Sequence, residues 1–387
     1  MKVSIIGAGY VGMSLAALIS KKFEVSIWDI DKKKQDLINS KEFTVYDKGQ
    51  KNYLKKNKSW NIKAAKNLDE SVRKANLLII CTPTNLDQFT GEFDTSSVDE
   101  TINYISKLEK KPQIVIKSTL PAGHTLKLSR NTGLDIIFSP EFLREGSALH
   151  DNEHPSRIII GLSKKEINPN PFLDLMESIA LNQPKVFTMN STEAEITKLF
   201  SNSFLANRVA FFNEVDGFAL ANGLSSKNII NGICSDPRIG NTYNNPSFGF
   251  GGYCLPKDSM QAIASMKDLP RKILSSINKS NLERKEFICE YLIRMNPKSY
   301  GFYRLNMKEE SDNLRESASI FLLKKIVEQK RKVYVYEPLI NKNTYHGAEV
   351  INDLDEFKEK SGLIIANRTS ADIYDCKDKT FSRDLNF

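Results

Sequence analysis

Lys2-Val3-Ser4-Ile5-Ile6-Gly7-Ala8-Gly9-Tyr10-Val11-Gly12 decides the fold. Val3 to Ile6 is a short apolar run that reads as a buried strand, and Gly7, Gly9 and Gly12 follow it in GxGxxG spacing. A helical pattern over Leu15 to Lys22 comes next, and then a second strand, Val25-Ser26-Ile27-Trp28, ending beside Asp29. Strand, glycine turn, helix, strand and acid together describe a βαβ unit that binds a dinucleotide. The first glycine permits the tight turn, the second lets backbone N–H groups approach a pyrophosphate, and the third lets the helix pack on the strand. The helix N-terminus then faces the anion. Asp29 would accept hydrogen bonds from ribose hydroxyls and repel a 2′-phosphate, which favours NAD over NADP. The uncharged run from Val3 to Ser20 resembles a signal-peptide core, but the glycine spacing explains it better, and no other stretch is long and apolar enough to span a membrane.

Outward from this unit, the first third keeps alternating strands with helices. Leu77-Leu78-Ile79-Ile80, Ile114-Val115-Ile116, Ile136-Ile137-Phe138 and Ile158-Ile159-Ile160 read as further strands of a parallel, doubly wound sheet. The loops Cys81-Thr82-Pro83-Thr84 and Lys117 to Gly123 leave the carboxyl ends of two of them, where such sheets bind ligands. They offer the hydroxyls of Thr82, Thr84, Ser118 and Thr119, which also suit ordinary turns. Thr192-Glu193-Ala194-Glu195 has capping-box spacing and opens a helical pattern that runs through Leu199, Phe200, Leu205, Val209, Phe212 and Val215 to about Asn222. Such a helix would span about 45 Å, joining domains and offering a dimer core. The last third returns to α/β signals, with a helix over Ser317 to Lys330 and strands at Val333-Tyr334-Val335-Tyr336 and Leu363-Ile364-Ile365-Ala366. It lacks a glycine fingerprint, so its ligand is something other than a dinucleotide.

The chain has 387 residues, room for two or three domains, and a formal charge of +8. The basic residues are scattered among acids and asparagines, which argues against nucleic acid and suits pyrophosphate-bearing ligands. Five cysteines, Cys81, Cys234, Cys254, Cys289 and Cys376, show no CxxC spacing. That argues against a disulfide framework or zinc site and for a reducing cytoplasm; no metal is expected. None of the four histidines stands in a base motif, so a dehydrogenase base would be a lysine or a carboxylate-held water.

The most unusual stretch is Asn244-Asn245-Pro246-Ser247-Phe248-Gly249-Phe250-Gly251-Gly252-Tyr253-Cys254-Leu255-Pro256-Lys257-Asp258. Three glycines bring backbone close to a ligand, and a cysteine follows with a cation three residues on and a carboxylate four on. A neighbouring ammonium favours the thiolate, the nucleophilic form. A lone cysteine is usually a small buried hydrophobe; its place in this loop argues for catalysis. Lys198 and Asn202 share a helix face, and Ser139 to Gly146 sets Glu141, Arg144 and Glu145 after a strand, though solvation alone would explain either group.

These motifs together resemble the UDP-glucose 6-dehydrogenase family over essentially the whole chain. They are GAGYVG at 7–12, TPT at 82–84, KSTLPAG at 117–123, SPEFLREG at 139–146, KLFSNSFLANRVAFFNE at 198–214, DPRIG at 236–240, YNNPSFGFGGYCLPKD at 243–258, MKEESDNLRES at 307–317 and SRD at 382–384. The resemblance implies two Rossmann-like α/β domains joined by a long central helix and a helical dimerisation domain. The divisions expected are 1–190 for NAD, 191–290 for the central helical part with the cysteine loop, and 291–387 for UDP.

It also implies a four-electron oxidation of UDP-glucose through a thiohemiacetal and a thioester on Cys254. Lys198 and Asn202 then match oxyanion stabilisers. Thr119 and Asp258 match positions that hold a water, with Asp258 or that water taking the first proton. Glu145 matches the base for thioester hydrolysis, and Glu141 supports that network. Gly7, Gly9, Tyr10, Val11, Gly12, Asp29, Lys34, Thr84, Thr119 and Glu145 match cofactor positions, with Lys257 and Arg315 approaching from the substrate side. Glu141, Phe142, Leu143, Arg144, Glu145, Lys198, Asn202, Tyr243, Asn244, Asn245, Ser247, Gly251 and Lys308 match substrate positions. Arg238 matches an arginine expected to reach the partner subunit's substrate in a homodimer. Departures at Glu309-Glu310, Leu314 and Phe381-Ser382 remove no reacting group. The competing readings are another UDP-hexose, a two-electron hydroxy-acid dehydrogenase without need of Cys254, and a catalytically silent nucleotide binder.

Overall fold

Apolar runs too short for helices become the buried strands of two sheets. The structure, a computed structural model, describes residues 1–57, 60–87, 90–306 and 316–387. The chain divides into two units, Met1–Phe200 and Ser201–Phe387, with the boundary inside one continuous helix, Ser191–Ala221.

The first unit holds β1 (Lys2–Ile6), β2 (Glu24–Trp28), β3 (Ile62–Ala64), β4 (Leu77–Ile80), β5 (Gln113–Ile116), β6 (Ile136–Phe138), β7 (Arg157–Leu162) and β8 (Lys185–Asn190). Their order is β3-β2-β1-β4-β5-β6-β7-β8. Neighbours run parallel except β6 and β7, which pair antiparallel, so the far end of the sheet is mixed where the sequence suggested a parallel one. Helix Tyr10–Ile19 starts directly at the fingerprint, five residues before the apolar pattern signals it, because the glycines hide its first turn. Its Met13, Leu15, Ala16, Leu18 and Ile19 are buried with Val3, Ile5, Val25 and Ile27 in one core. β8 escapes a sequence reading for a physical reason: it is an edge strand whose residues are almost all exposed, so it carries no apolar alternation.

The second unit holds β9 (Tyr300–Tyr303), β10 (Val333–Tyr336), β11 (Thr344–Tyr345), β12 (Ala348–Val350), β13 (Leu363–Ile365) and β14 (Thr380–Phe381), in the order β11-β12-β10-β9-β13-β14. All neighbours are parallel except β11 and β12. β9, at the centre, goes unread in the sequence, where Gly301 interrupts a short aromatic run. Gly301 is there for close packing: a Cβ on it would lie 2.0 Å from Ser361 Oγ. Helix Cys254–Ser265 begins at the cysteine, and helix Lys272–Met295 follows it.

The long helix begins two residues earlier than its capping-box spacing suggests. Asn190 Oδ1 accepts the Thr192 N–H at 2.9 Å, and Glu193 Oε2 accepts the Asn190 N–H at 2.8 Å. The box is therefore Asn190 with Glu193, which frees Glu195 to face inward. Among the described residues no helix is long and apolar enough to cross a membrane, and no group of three or more His, Cys, Asp or Glu could hold a metal ion.

Candidate active site

In the first unit the sheet reverses its winding between β1 and β4, and the loops after these strands flank that point. Gly7 adopts φ +98°, and a Cβ on it would sit 2.7 Å from the Cys81 carbonyl oxygen. A Cβ on Gly12 would lie 1.8 Å from the Gly7 oxygen, so only glycine lets this helix start so close to the turn. Gly9, at the helix N-cap, has nothing within 4 Å of its would-be Cβ, and no side chain caps the helix. Open space before a helix start, with no cap in it, fits a pyrophosphate. Asp29 is buried at the end of β2. Its Oδ2 accepts the Ala8 N–H at 2.7 Å, its Oδ1 accepts the Asp31 N–H at 2.9 Å, and Lys34 Nζ stands 3.2 Å away. The acid expected to face a ribose thus also holds the glycine loop in shape, and Lys34 pairs with it. These features fit NAD.

The loops after β4 and β5 are tied together. Thr84 Oγ1 donates to the Thr119 carbonyl at 2.7 Å, and Ser118 Oγ to the Thr82 carbonyl at 2.7 Å. Thr119 itself is half-buried. Beneath them lies a buried charge cluster. Lys117, 3% exposed at its side chain, places Nζ 3.2 Å from Glu141 Oε2, and Glu141 Oε1 accepts the Phe142 N–H at 2.8 Å. Lys198 donates to the Glu141 carbonyl, and its ammonium lies 5.1 Å from the centre of the Phe142 ring, which Arg157 approaches at 3.8 Å. Burial pushes Arg157 down from the usual guanidinium range and drives the Cys81 thiol, near Lys117 and Glu141, up to about 12, which disfavours its thiolate. Arg144 is exposed and makes a paired contact with Asp151, at 2.6 and 3.0 Å. Glu145 and Leu143 are half-buried.

In the second unit Cys254 is the first residue of its helix, where the helix dipole favours an anionic thiolate. One turn on, Lys257 and Asp258 are buried, with Lys257 Nζ donating to Asp258 Oδ1 at 2.8 Å. Asn202 Nδ2 donates to the other oxygen, Oδ2. Burial works against the charge on Lys257, but Asp258, Tyr253 and Cys254 outweigh it and raise its pKa. The cation is therefore locked on beside the cysteine.

Gly251 and Leu255, on either side of this cysteine in the chain, line a cleft of about 660 Å³ with Tyr243, Asn244, Asn245 and Ser247. The loop that forms its wall is held by side chains from distant segments. Asn213 Oδ1 accepts the Ser247 N–H at 2.8 Å, and Asn367 Oδ1 accepts the Phe248 N–H at 2.9 Å. Asn281 receives the Phe250 N–H at 2.7 Å and donates to the Phe250 carbonyl at 2.8 Å, as a neighbouring strand would. Arg284 donates to the Ser247 carbonyl at 3.0 Å and, like Arg383, to the fully buried Asp216. Arg368 also lines the cleft and donates to the carbonyls of Pro246 and Asn245, the latter at 3.3 Å.

The structure thus gathers Asn202, Lys257 and Asp258 into one group at the cysteine helix, and Tyr243, Asn244, Asn245, Ser247 and Gly251 into one cleft. It gathers Glu141, Phe142 and Lys198 into another group. Arg238 stands on the surface, paired with Asp236 at 2.6 Å. Lys308 and Arg315 lie outside the described residues. Sequence reasoning missed Lys117, Asn213, Asn281, Arg284 and Arg368 as site builders. Lys117 was the most accessible of these, since a lysine directly after a buried strand has to find a partner. Asn281 and Arg284 share a helix face, but nothing in their spacing points to the loop they hold.

Residues 1–179, 192–283 and 301–385 match, respectively, the NAD binding, central and UDP binding domains of the UDP-glucose/GDP-mannose dehydrogenase family. Over its full length the chain is 41% identical to a protein of Streptococcus pneumoniae and 42% identical to one of Campylobacter jejuni, both named UDP-glucose 6-dehydrogenase, each match covering 99% of the relative. The fold is also that of a UDP-glucose dehydrogenase from Pyrobaculum islandicum, with a TM-score of 0.87 at 23% identity, covering 99% of this chain and 94% of that one.

Proposed function

Because this chain belongs to the UDP-glucose/GDP-mannose dehydrogenase family, we propose that it oxidises UDP-glucose at C6 to UDP-glucuronate, with Cys254 as the covalent nucleophile. The observation that carries the reading is Cys254 at a helix start, beside a buried Lys257–Asp258–Asn202 group and between two residues that line a cleft. The two full-length relatives support UDP-glucose as the substrate.

NAD, when bound, supplies the hydride acceptor for each of two oxidations. In the first, C6 loses a hydride and its hydroxyl loses a proton to Asp258 or to a water beside it. The Cys254 sulfur then adds to the aldehyde carbon, which becomes a tetrahedral centre able to give up a second hydride. Lys198 and Asn202, four residues apart on one helix face, stabilise negative charge as it develops on oxygen. Water attacks the resulting thioester with Glu145 as base, Glu141 holding that segment in place, and the C–S bond breaks to release the carboxylate and the thiol. Thr119 helps to hold water for proton transfer. The glycine loop, Asp29, Lys34 and Thr84 are assigned to the cofactor, and Tyr243, Asn244, Asn245, Ser247 and Gly251 to the UDP-sugar.

The reading divides the chain at 1–190, 191–290 and 291–387, close to the three matched segments. It also makes the protein a cytoplasmic homodimer in which Arg238 serves the partner. A stripe of exposed phenylalanines on the long helix supports self-association: Phe204, Phe211 and Phe218 recur every seven residues at 62%, 52% and 64% exposure. The deciding measurement is NADH formed per UDP-glucose consumed at saturating NAD. Two per sugar, with the uronate as product, is expected. One per sugar would overturn the role of Cys254, and NADH only from another UDP-hexose would overturn the substrate.

A further inference from the structure

Glu195 is a buried acid that the reaction above does not use. It lies on the long helix three residues before Lys198, so the two share a face. The residue is fully buried, and neutral donors meet its carboxylate. Gly123 N–H reaches Oε2 at 2.5 Å, while Thr125 N–H and Thr125 Oγ1 reach Oε1 at 2.8 and 2.6 Å. These donors open helix His124–Thr132 and close the loop that begins at Lys117. The start of that loop is anchored separately, by the Lys117 N–H on the Ile80 carbonyl at 2.8 Å and by Thr84 on the Thr119 carbonyl. Thr119 therefore sits on a loop fixed at both ends.

A carboxylate is a costly way to fill a buried position, and an apolar residue of similar volume would stabilise the fold at least as well. What the carboxylate adds is direction: it accepts from Gly123 and Thr125, on either side of the helix start, at once, and it does so from the helix face that carries Lys198. We propose that Glu195 is a positioning residue that fixes the Thr119 loop to the turn of the long helix bearing Lys198. Burial pushes its carboxyl up to about 7, against the pull of Thr125, Gly123 and His124. Of the ionisable groups near it, His124 is engaged by Asp99 at 2.7 Å and Lys198 donates to the Glu141 carbonyl.

The inference rests on the proposed reaction, and its test separates the two. Glu195→Gln keeps the shape but turns an NH₂ toward one of the donors, and Thr125→Val removes one donor at constant volume. In the full-length chain, each is expected to lower kcat about tenfold while KM for UDP-glucose and NAD stays within about twofold. The double variant is expected to lose little more than either single one, because both groups act through the same anchor. Unchanged kcat in both variants, or purely additive losses, would overturn the proposal. If the unsubstituted chain makes no NADH from UDP-glucose, the reaction is wrong, and amide exchange in the NAD-bound chain still decides the anchor. Faster exchange at Gly123 and Thr125 in Glu195→Gln supports it, and unaltered exchange there refutes it.

Discussion

The glycine crevice of the first unit and the cysteine cleft of the second solve the same problem with different materials. The crevice is mostly main chain: two close approaches that forbid a Cβ, an uncapped helix start and one acid that receives backbone N–H groups. The cleft is held by side chains from Asn213, Asn281, Arg284, Asn367 and Arg368, whose sequence positions span more than half of the second unit. A site made of backbone depends on what is absent, a Cβ. A site made of side-chain clamps depends on groups that have to be present. The two should therefore fail differently.

The largest failure is expected at the cleft's proposed nucleophile. Cys254→Ala should cut NADH formation about a thousandfold or more while leaving binding of NAD and UDP-glucose in place; steady-state rates with calorimetric titration check both. Substantial turnover without the thiol would mean that only the binding half of the comparison survives. Next comes Gly12→Ala, which forces a methyl against the Gly7 oxygen. It should weaken NAD roughly tenfold to a hundredfold, as overpacking of about 1–3 kcal/mol implies, with UDP affinity unchanged. Loss of both affinities would show that the two sites are not independent.

Asn281→Ala is a smaller and opposite probe. It strips a donor and an acceptor from Phe250, leaving buried backbone groups unpaired at a cost of about 1–3 kcal/mol. KM for UDP-glucose should rise and NAD affinity should hold. The smallest effects are in pH. Glu195, in the first unit, meets neutral donors and is raised by burial to about 7. The folded chain then binds a proton more tightly than the unfolded one, so this group's stabilisation is full below its ordinary value and is lost as pH climbs through about 7. Asp216, in the second unit, is lowered: burial opposes this, but Arg383 and Arg284 prevail. Its stabilisation is present above the ordinary carboxylate value and is lost as pH falls through its depressed one. Thermal midpoints against pH should lose the neutral-range slope in Glu195→Gln and the acid slope in Asp216→Asn. Neither slope should exceed about 1.4 kcal/mol per pH unit.

The same contrast explains what could be read from the chain itself. Gly7, Gly9, Gly12 and Asp29 are legible because their distances along the chain are their function. β1, β4, β5 and β10 are legible because each is a short run dominated by buried apolar or aromatic residues. Cys254, Lys257 and Asp258 are legible as a local cluster. The clamps are not, since Asn281 meets Phe250 and Asn367 meets Phe248 only after folding brings distant segments together. Glu195 was read as a helix cap because its spacing from Thr192 fits one. The helix starts two residues sooner, and that shift turns a surface cap into an interior anchor.

Asp29 sets a limit on redesigning the coenzyme preference. Replacing the acid with a small neutral residue is the obvious route to accepting a phosphorylated ribose, and Lys34 stands ready beside it. Yet that carboxylate is also the acceptor for Ala8 and Asp31. Removing it would free a lysine for the new phosphate while releasing the very loop proposed to cradle the pyrophosphate. An exchange of coenzyme would therefore need a substitute acceptor for the Ala8 N–H as well as a new charge, and no single substitution at this position supplies both.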